Sequence, residues 1–178
     1  MNVLAYCTYT AREAVRKATG VEPLTSPPYD FANLPTHIFD GRDLIYFRLH
    51  GLPLARGAWY GDGPGSMPPA LTAHTIRNMD LTGAVVVVAN CYGADDPLVM
   101  ALYNAGAGAV IAGPGRNYAS GEAVIGADLL VRWLIVGLRL GLNPGRALQL
   151  ARMRLRLTSH RRADKDALEF DFIRTMKT

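Results

Sequence analysis

"VVVVANCYG" occupies residues 85–93. Four consecutive valines leave no polar face, so the run reads as a strand buried on both sides. Strands of that kind belong to parallel sheets covered by helices. A similar run, "DLIYFRL" at 43–49, comes before it, and "AVIA" at 109–112 comes after it. Between the last two lies a helical pattern. Asp95 and Asp96 stand where a helix N-terminus favours negative charge, Pro97 fits the first turn, and Gly106 fits the C-terminal cap. Leu98, Ala101, Leu102 and Ala105 repeat at i, i+3, i+4, i+7, which turns one stripe toward a core. The alternation predicts an α/β chain: a three-layer α/β/α sandwich around a mostly parallel central sheet.

Outward from this centre the other elements follow. Residues 3–9 read as a first strand. Thr10 is placed to cap the next helix, with Glu13 completing a capping box and Gly20 closing it. Residues 21–42 carry Pro23, Pro27, Pro28 and Pro35 and read as loop, with a short strand near 36–39. Residues 52–69 form a hairpin or loop excursion, and a helix is predicted over 70–79. A long helix spans about 125–140, with Asp128 and Arg132 one turn apart on a polar stripe. Another runs over 144–157, and residues 159–178 form a polar tail. The 178 residues are read as one domain.

Composition narrows the function classes. Hydrophobic residues make up 49% and charged residues 19%, the profile of a globular chain and not a disordered one. The net charge of +4 is spread along the sequence and gives no strong nucleic-acid signal. Two cysteines, Cys7 and Cys91, without a Cys-x-x-Cys pair, argue against a disulfide framework and a structural zinc site. The N-terminus has no basic region and cleavage site of a signal peptide, so a cytoplasmic location is expected. The most apolar stretch, 124–142, holds Asp128, Arg132 and Arg139, which argues against a membrane span.

In open α/β sheets, function collects at the carboxyl ends of the strands. Here those ends are His50-Gly51, Cys91-Tyr92-Gly93 and "GPGRN" at 113–117. Neighbouring parallel strands ending in His50 and Cys91 would bring imidazole and thiol to one rim. A thiol needs a base or a positive field to act as a nucleophile. His50 is the candidate base, and the helix starting near Asp95 would favour the thiolate. The N–H groups of Gly51 and Cys91 are candidate oxyanion donors. Arg116, Asn90 and Tyr92 are candidate substrate-pocket residues. The blander alternative makes Cys91 a packed core thiol and His50 a structural histidine. Cys7 reads as core, and His37 and His74 as structural or solvent-exposed. "GDGPG" at 61–65 lacks the Lys-Ser/Thr of a phosphate loop and reads as a loop near the His50 rim.

"DLIYFRLHG" followed by "VVVVANCYG" resembles the caspase-like (clan CD) cysteine peptidases, most closely their CHAT branch. "MALYNAGAGAVIAGPG" and "GLNPGRALQLAR" resemble later stretches of the same family, and the likeness covers roughly residues 43–157. It implies a parallel sheet with helices on both faces, a His50–Cys91 dyad, endopeptidase activity on a peptide or protein substrate, and no metal or organic cofactor. Three departures stand out. Gly93 comes one residue sooner than in the family's Cys-x-x-Gly turn. Ala89 stands where relatives that cleave after Arg or Lys carry an acid. The strand before residue 43 is poorly marked. A catalytically inactive interaction or assembly module on the same fold is the alternative. A second alternative is another α/β protein, flavodoxin-like or amidotransferase-like, with a cysteine at the nucleophile turn. In amidotransferases the histidine follows the cysteine, and here that leaves His160 in "SHRR".

The 144–157 helix shows two apolar faces. Ala147, Leu148, Ala151 and Leu155 serve the sheet. Leu150, Met153 and Leu157 form a second face, suited to another subunit, a protein partner or the chain's own C-terminal residues.

Overall fold

A computed structural model of the chain describes residues 1–63, 65–158 and 162–173. The central sheet has six strands: β1 (Val3–Thr8), β2 (Leu24–Ser26), β3 (Leu44–Arg48), β6 (Val85–Val88), β7 (Ala109–Ala112) and β8 (Asp171–Phe172). Their spatial order is β2-β1-β3-β6-β7-β8. All neighbours pair in parallel except β7 and β8. A separate antiparallel pair, β4 (Ala58–Tyr60) and β5 (Pro69–Thr72), forms the hairpin inside the excursion.

The valine run now has a physical explanation. Successive strand side chains point to opposite faces. Val85 and Val87 enter the core beneath α1 (Arg12–Thr19), α4 (Ala127–Arg139), α5 (Pro144–Thr158) and α6 (Arg162–Ala167). Val86 and Val88 enter the opposite core, with α2 (Ala73–Arg77), α3 (Leu98–Asn104), Phe39 and Trp59. Full burial of each valine stabilises the fold by roughly 1.5–3 kcal/mol. The result is a mixed α/β sandwich with helices on both faces of a mostly parallel sheet.

Several local expectations change. Thr10 caps no helix: a 3₁₀ turn at Tyr9–Ala11 precedes α1, and the Thr10 hydroxyl turns to Asp62. Residues Thr36–Phe39 form a 3₁₀ turn, and the strand in this region is β2, which needs only three residues to pair with β1. The helix expected over 70–79 begins as strand β5, because Ala70 and Leu71 are buried against the hairpin partner, and is helical only from Ala73 to Arg77. Asp128 does not share a polar stripe with Arg132. It is fully buried, held by the Tyr46 hydroxyl and Arg48. Within the expected polar tail, residues 162–173 carry α6 and β8, and Phe170 is buried. Among the described residues, Met153 and Leu157 on α5 stay exposed while Ala147, Leu148, Ala151 and Leu155 are buried. No helix among the described residues is long and apolar enough to cross a membrane.

Candidate active site

β3 and β6 are adjacent and parallel, with Phe47 opposite Val88, so both chains leave the sheet at the same edge. Asn90 fastens the two exits together. Its buried Oδ1 accepts the Leu49 N–H at 2.7 Å. By strand alternation Tyr46, Arg48 and His50 share one side of β3, and Val87, Ala89 and Cys91 the same side of β6. His50 and Cys91 therefore come to the same face of the sheet. They line one cleft of about 260 Å³ together with Thr8, Thr10, Arg48 and the loop residues Asn117 and Ser120.

His50 is placed by two contacts from the excursion. It forms an antiparallel bridge with Tyr60, the His50 N–H donating at 2.8 Å and its carbonyl accepting at 3.0 Å. Two residues on, the chain delivers Asp62, whose Oδ2 lies 3.8 Å from His50 Nε2. Asp62 is itself held: the Thr10 N–H donates to it at 3.3 Å and the Thr10 hydroxyl donates to its other oxygen. A carboxylate beside one imidazole nitrogen favours the tautomer with a proton there. Asp62 went unnoticed in the sequence because "GDGPG" has the composition of a turn. The signal was its acid, twelve residues after the strand-end histidine in a segment long enough to fold back.

Cys91 is half-buried, and Asn117 flanks its sulfur. The Asn117 N–H points at Sγ from 3.3 Å, and its side-chain amide donates to the Ala89 carbonyl. Cys91 Sγ in turn lies 3.8 Å from the Asn117 carbonyl, so Asn117 holds the sulfur from both backbone groups. The helix-terminus support expected from α3 is absent. That helix starts at Leu98, and Asp96 Oδ1 already accepts the Leu98 N–H at 2.9 Å. Cys7 is the contrasting thiol: fully buried in β1, it is pushed up to about 12 by burial.

The Gly51 and Cys91 N–H groups meet no backbone acceptor among the described residues. Gly51 packs so tightly on the Cys91 carbonyl that a Cβ there would sit 1.9 Å from the oxygen. The early Gly93 is explained by its neighbour. Tyr92 takes the left-handed turn itself, at φ 57°, and a Cβ on Gly93 would press on the Val88 side chain at 2.9 Å.

The three residues expected in a substrate pocket stand elsewhere. Asn90 is buried under the rim, and Tyr92 and Arg116 lie outside the cleft, where exposed Arg116 Nε donates to the Tyr92 hydroxyl at 3.1 Å. The cation that lines the cleft is Arg48. Its Nη2 donates to the Ser120 carbonyl at 2.7 Å, and its Nε lies 3.3 Å from Asp128 Oδ2. That ion pair is close but lacks hydrogen-bond alignment. Burial pushes the Asp128 carboxyl up to about 6, against the opposing pull of Arg48 and Tyr46.

No protein-family model and no curated protein matches the chain. His37 and His74 are exposed, away from the cleft, and His160 lies outside the described residues. Among the described residues, no three His, Cys, Asp or Glu side chains gather as a metal site would require.

Proposed function

We propose that the chain is a caspase-like, CHAT-type cysteine peptidase acting through His50 and Cys91. One observation carries the reading: both side chains line a single cleft at the carboxyl ends of adjacent parallel strands. In this mechanism the Cys91 thiolate attacks the scissile carbonyl carbon and forms a C–S bond. The N–H groups of Gly51 and Cys91 hold the developing oxyanion. His50 passes its proton to the leaving amine, then takes one from the water that hydrolyses the thioester. Asp62 holds the imidazole in register.

The test is alkylation of the native protein with iodoacetamide, followed by mass spectrometry of each cysteine peptide. Cys91 is expected to react far faster than Cys7, and His50→Ala should slow Cys91 and change its pH profile. Equal rates at the two thiols, or a Cys91 rate indifferent to His50, would favour the rival reading of a non-catalytic module on the same fold.

A further inference from the structure

The net charge of +4 conceals a division within the chain. Between Asp128 and Asp164 there are eight arginines and no acidic side chain, so the remaining residues together carry −4. The fold gathers much of this basic stretch into one plate. α4 and α5, joined by residues 140–143, pack side by side on the same face of the sheet. Gly137 lets them close, since a Cβ there would lie 2.9 Å from Ala147 Cα. The outer surface keeps three large apolar side chains: Leu140 at 72% exposure, Leu157 at 69% and Met153 at 50%. Leu140 precedes α5 and Leu157 lies near its far end, so these groups are spread along about 22 Å, the length of its fifteen residues.

Some arginines of the stretch serve the fold. Arg152 donates to the Phe170 carbonyl and lies 3.4 Å from Asp171, and Arg154 sits over the Trp133 ring at 4.8 Å. Arg132, Arg139 and Arg146 are exposed, and among the described residues no carboxylate forms an ion pair with them. Two acids on the flanking helices are engaged elsewhere: Glu13 on α1 with Arg16 and Lys17, and buried Asp164 on α6 with the Gly126 N–H. The plate is therefore basic and apolar at once.

Chemistry selects among its possible occupants. A second copy meeting it face to face would set arginine against arginine. Residues 174–178 carry Arg174 and Lys177 and no acidic side chain, so charge opposes them as a cover. A nucleic acid matches the charge, but its outermost phosphates leave the leucines without an apolar partner. An anionic lipid leaflet offers both partners: headgroup phosphates for the guanidinium forks, and the acyl boundary just beneath for leucine and methionine. Its flatness suits apolar side chains scattered over a plate. We propose that the outer face of α4 and α5 docks this protein on an anionic phospholipid surface. The inference is independent of the peptidase reading, because no described residue of α4 or α5 lines the cleft.

The test is sedimentation of the full chain with large unilamellar vesicles, of phosphatidylcholine alone or of an equal mixture with phosphatidylserine. The chain is expected to partition at least about tenfold more strongly onto the mixed vesicles, and to leave them at about 0.5 M salt, where exposed charges are largely screened. Arg139→Gln with Arg146→Gln should weaken partitioning about fivefold for each charge removed. Arg77→Gln removes the same charge from exposed α2, on the opposite side of the sheet, and should change it by less than about twofold. Leu140→Ser with Leu157→Ser should weaken it about tenfold. All these positions are exposed, and circular dichroism verifies each fold. Equal sedimentation with both vesicles, or with neither, would overturn the proposal on the wild-type chain alone. So would an Arg77→Gln loss matching that of Arg139→Gln, which would make net charge the cause. Binding that ignores the two serine substitutions would reduce the face to a general polyanion site and overturn the lipid assignment. Light scattering that shows a dimer lost in the serine variant, without vesicle binding, would assign the face to a second copy instead.

Discussion

At the residue scale, the site depends on two small groups that neither attack the substrate nor transfer its proton. Gly51 is one. With the Cys91 carbonyl 1.9 Å from where a Cβ would stand, Gly51→Ala must push β3's exit away from β6's. Overpacking of this kind costs roughly 1–3 kcal/mol. The expected outcome is a lower urea midpoint and slower alkylation of Cys91, with Cys7 still protected. A variant with wild-type midpoint and rate would show that the contact relaxes freely. Asp62 is the other. It touches no substrate, so Asp62→Ala should leave the fold intact while lowering Cys91 reactivity about tenfold, less than the loss of a general base itself. Its signature is a displaced pH profile, because the partner of His50 Nε2 is gone. Asp62→Asn, which keeps the Thr10 contact but not the charge, should fall between. An unchanged pH profile in both variants would reduce Asp62 to a loop anchor.

At the element scale, helix α4 is the part the sequence misled about. Asp128 at its start and Arg132 one turn later looked like a solvent-facing pair, but the carboxyl is buried against Tyr46 and Arg48. The warning was Arg48 itself, a charged residue inside the apolar run "DLIYFRL" that had to find a counterion. The strands β1, β3, β6 and β7, and the carboxyl ends that bear His50 and Cys91, were legible because apolar runs report burial directly. Asp62, Asn117 and the cleft floor were not, because each depends on which distant loop folds back on the rim. The burial of Asp128 has a measurable consequence. Its carboxyl is raised from 3.8 to about 6, so between those values the folded chain holds a proton that the unfolded chain has lost. The stability contributed by this group is therefore greatest below pH 4 and falls as pH rises to 6, after which it is level. Asp128→Asn mimics the protonated form and keeps an acceptor for Tyr46. Relative to wild type it is expected to gain stability as pH rises from 4 to 7, by roughly 3 kcal/mol over that range. Urea unfolding of both proteins at pH 4.5 and 7 measures this. A constant gap would mean that Arg48 compensates the carboxylate fully.

At the scale of the whole molecule, the C-terminal segment connects sheet stability to the cleft. β8 is the antiparallel strand, and it covers the outer edge of β7, an exposed edge being a template for unwanted pairing. It is fastened at several points: the Ile173 N–H donates to the Val110 carbonyl at 2.9 Å, the Tyr103 hydroxyl to the Ile173 carbonyl, and Arg152 to the Phe170 carbonyl. Phe170 is buried against Gly113, where a Cβ would lie 2.6 Å from the ring. Gly113 begins the loop that carries Asn117 to the Cys91 sulfur and Ser120 to Arg48. The ring is thus the support on which one wall of the cleft is laid. Phe170→Ala removes it and is expected to cost about 3–5 kcal/mol. Measured where the variant is still folded by circular dichroism, its Cys91 should also alkylate more slowly, although residue 170 lines no part of the cleft. Phe170→Leu, which refills most of the space, should recover both properties in parallel. If stability falls but Cys91 reacts at the wild-type rate, then β8 closes the sheet without shaping the site, and the wall at 113–121 holds its form from the Asn117 and Ser120 contacts alone.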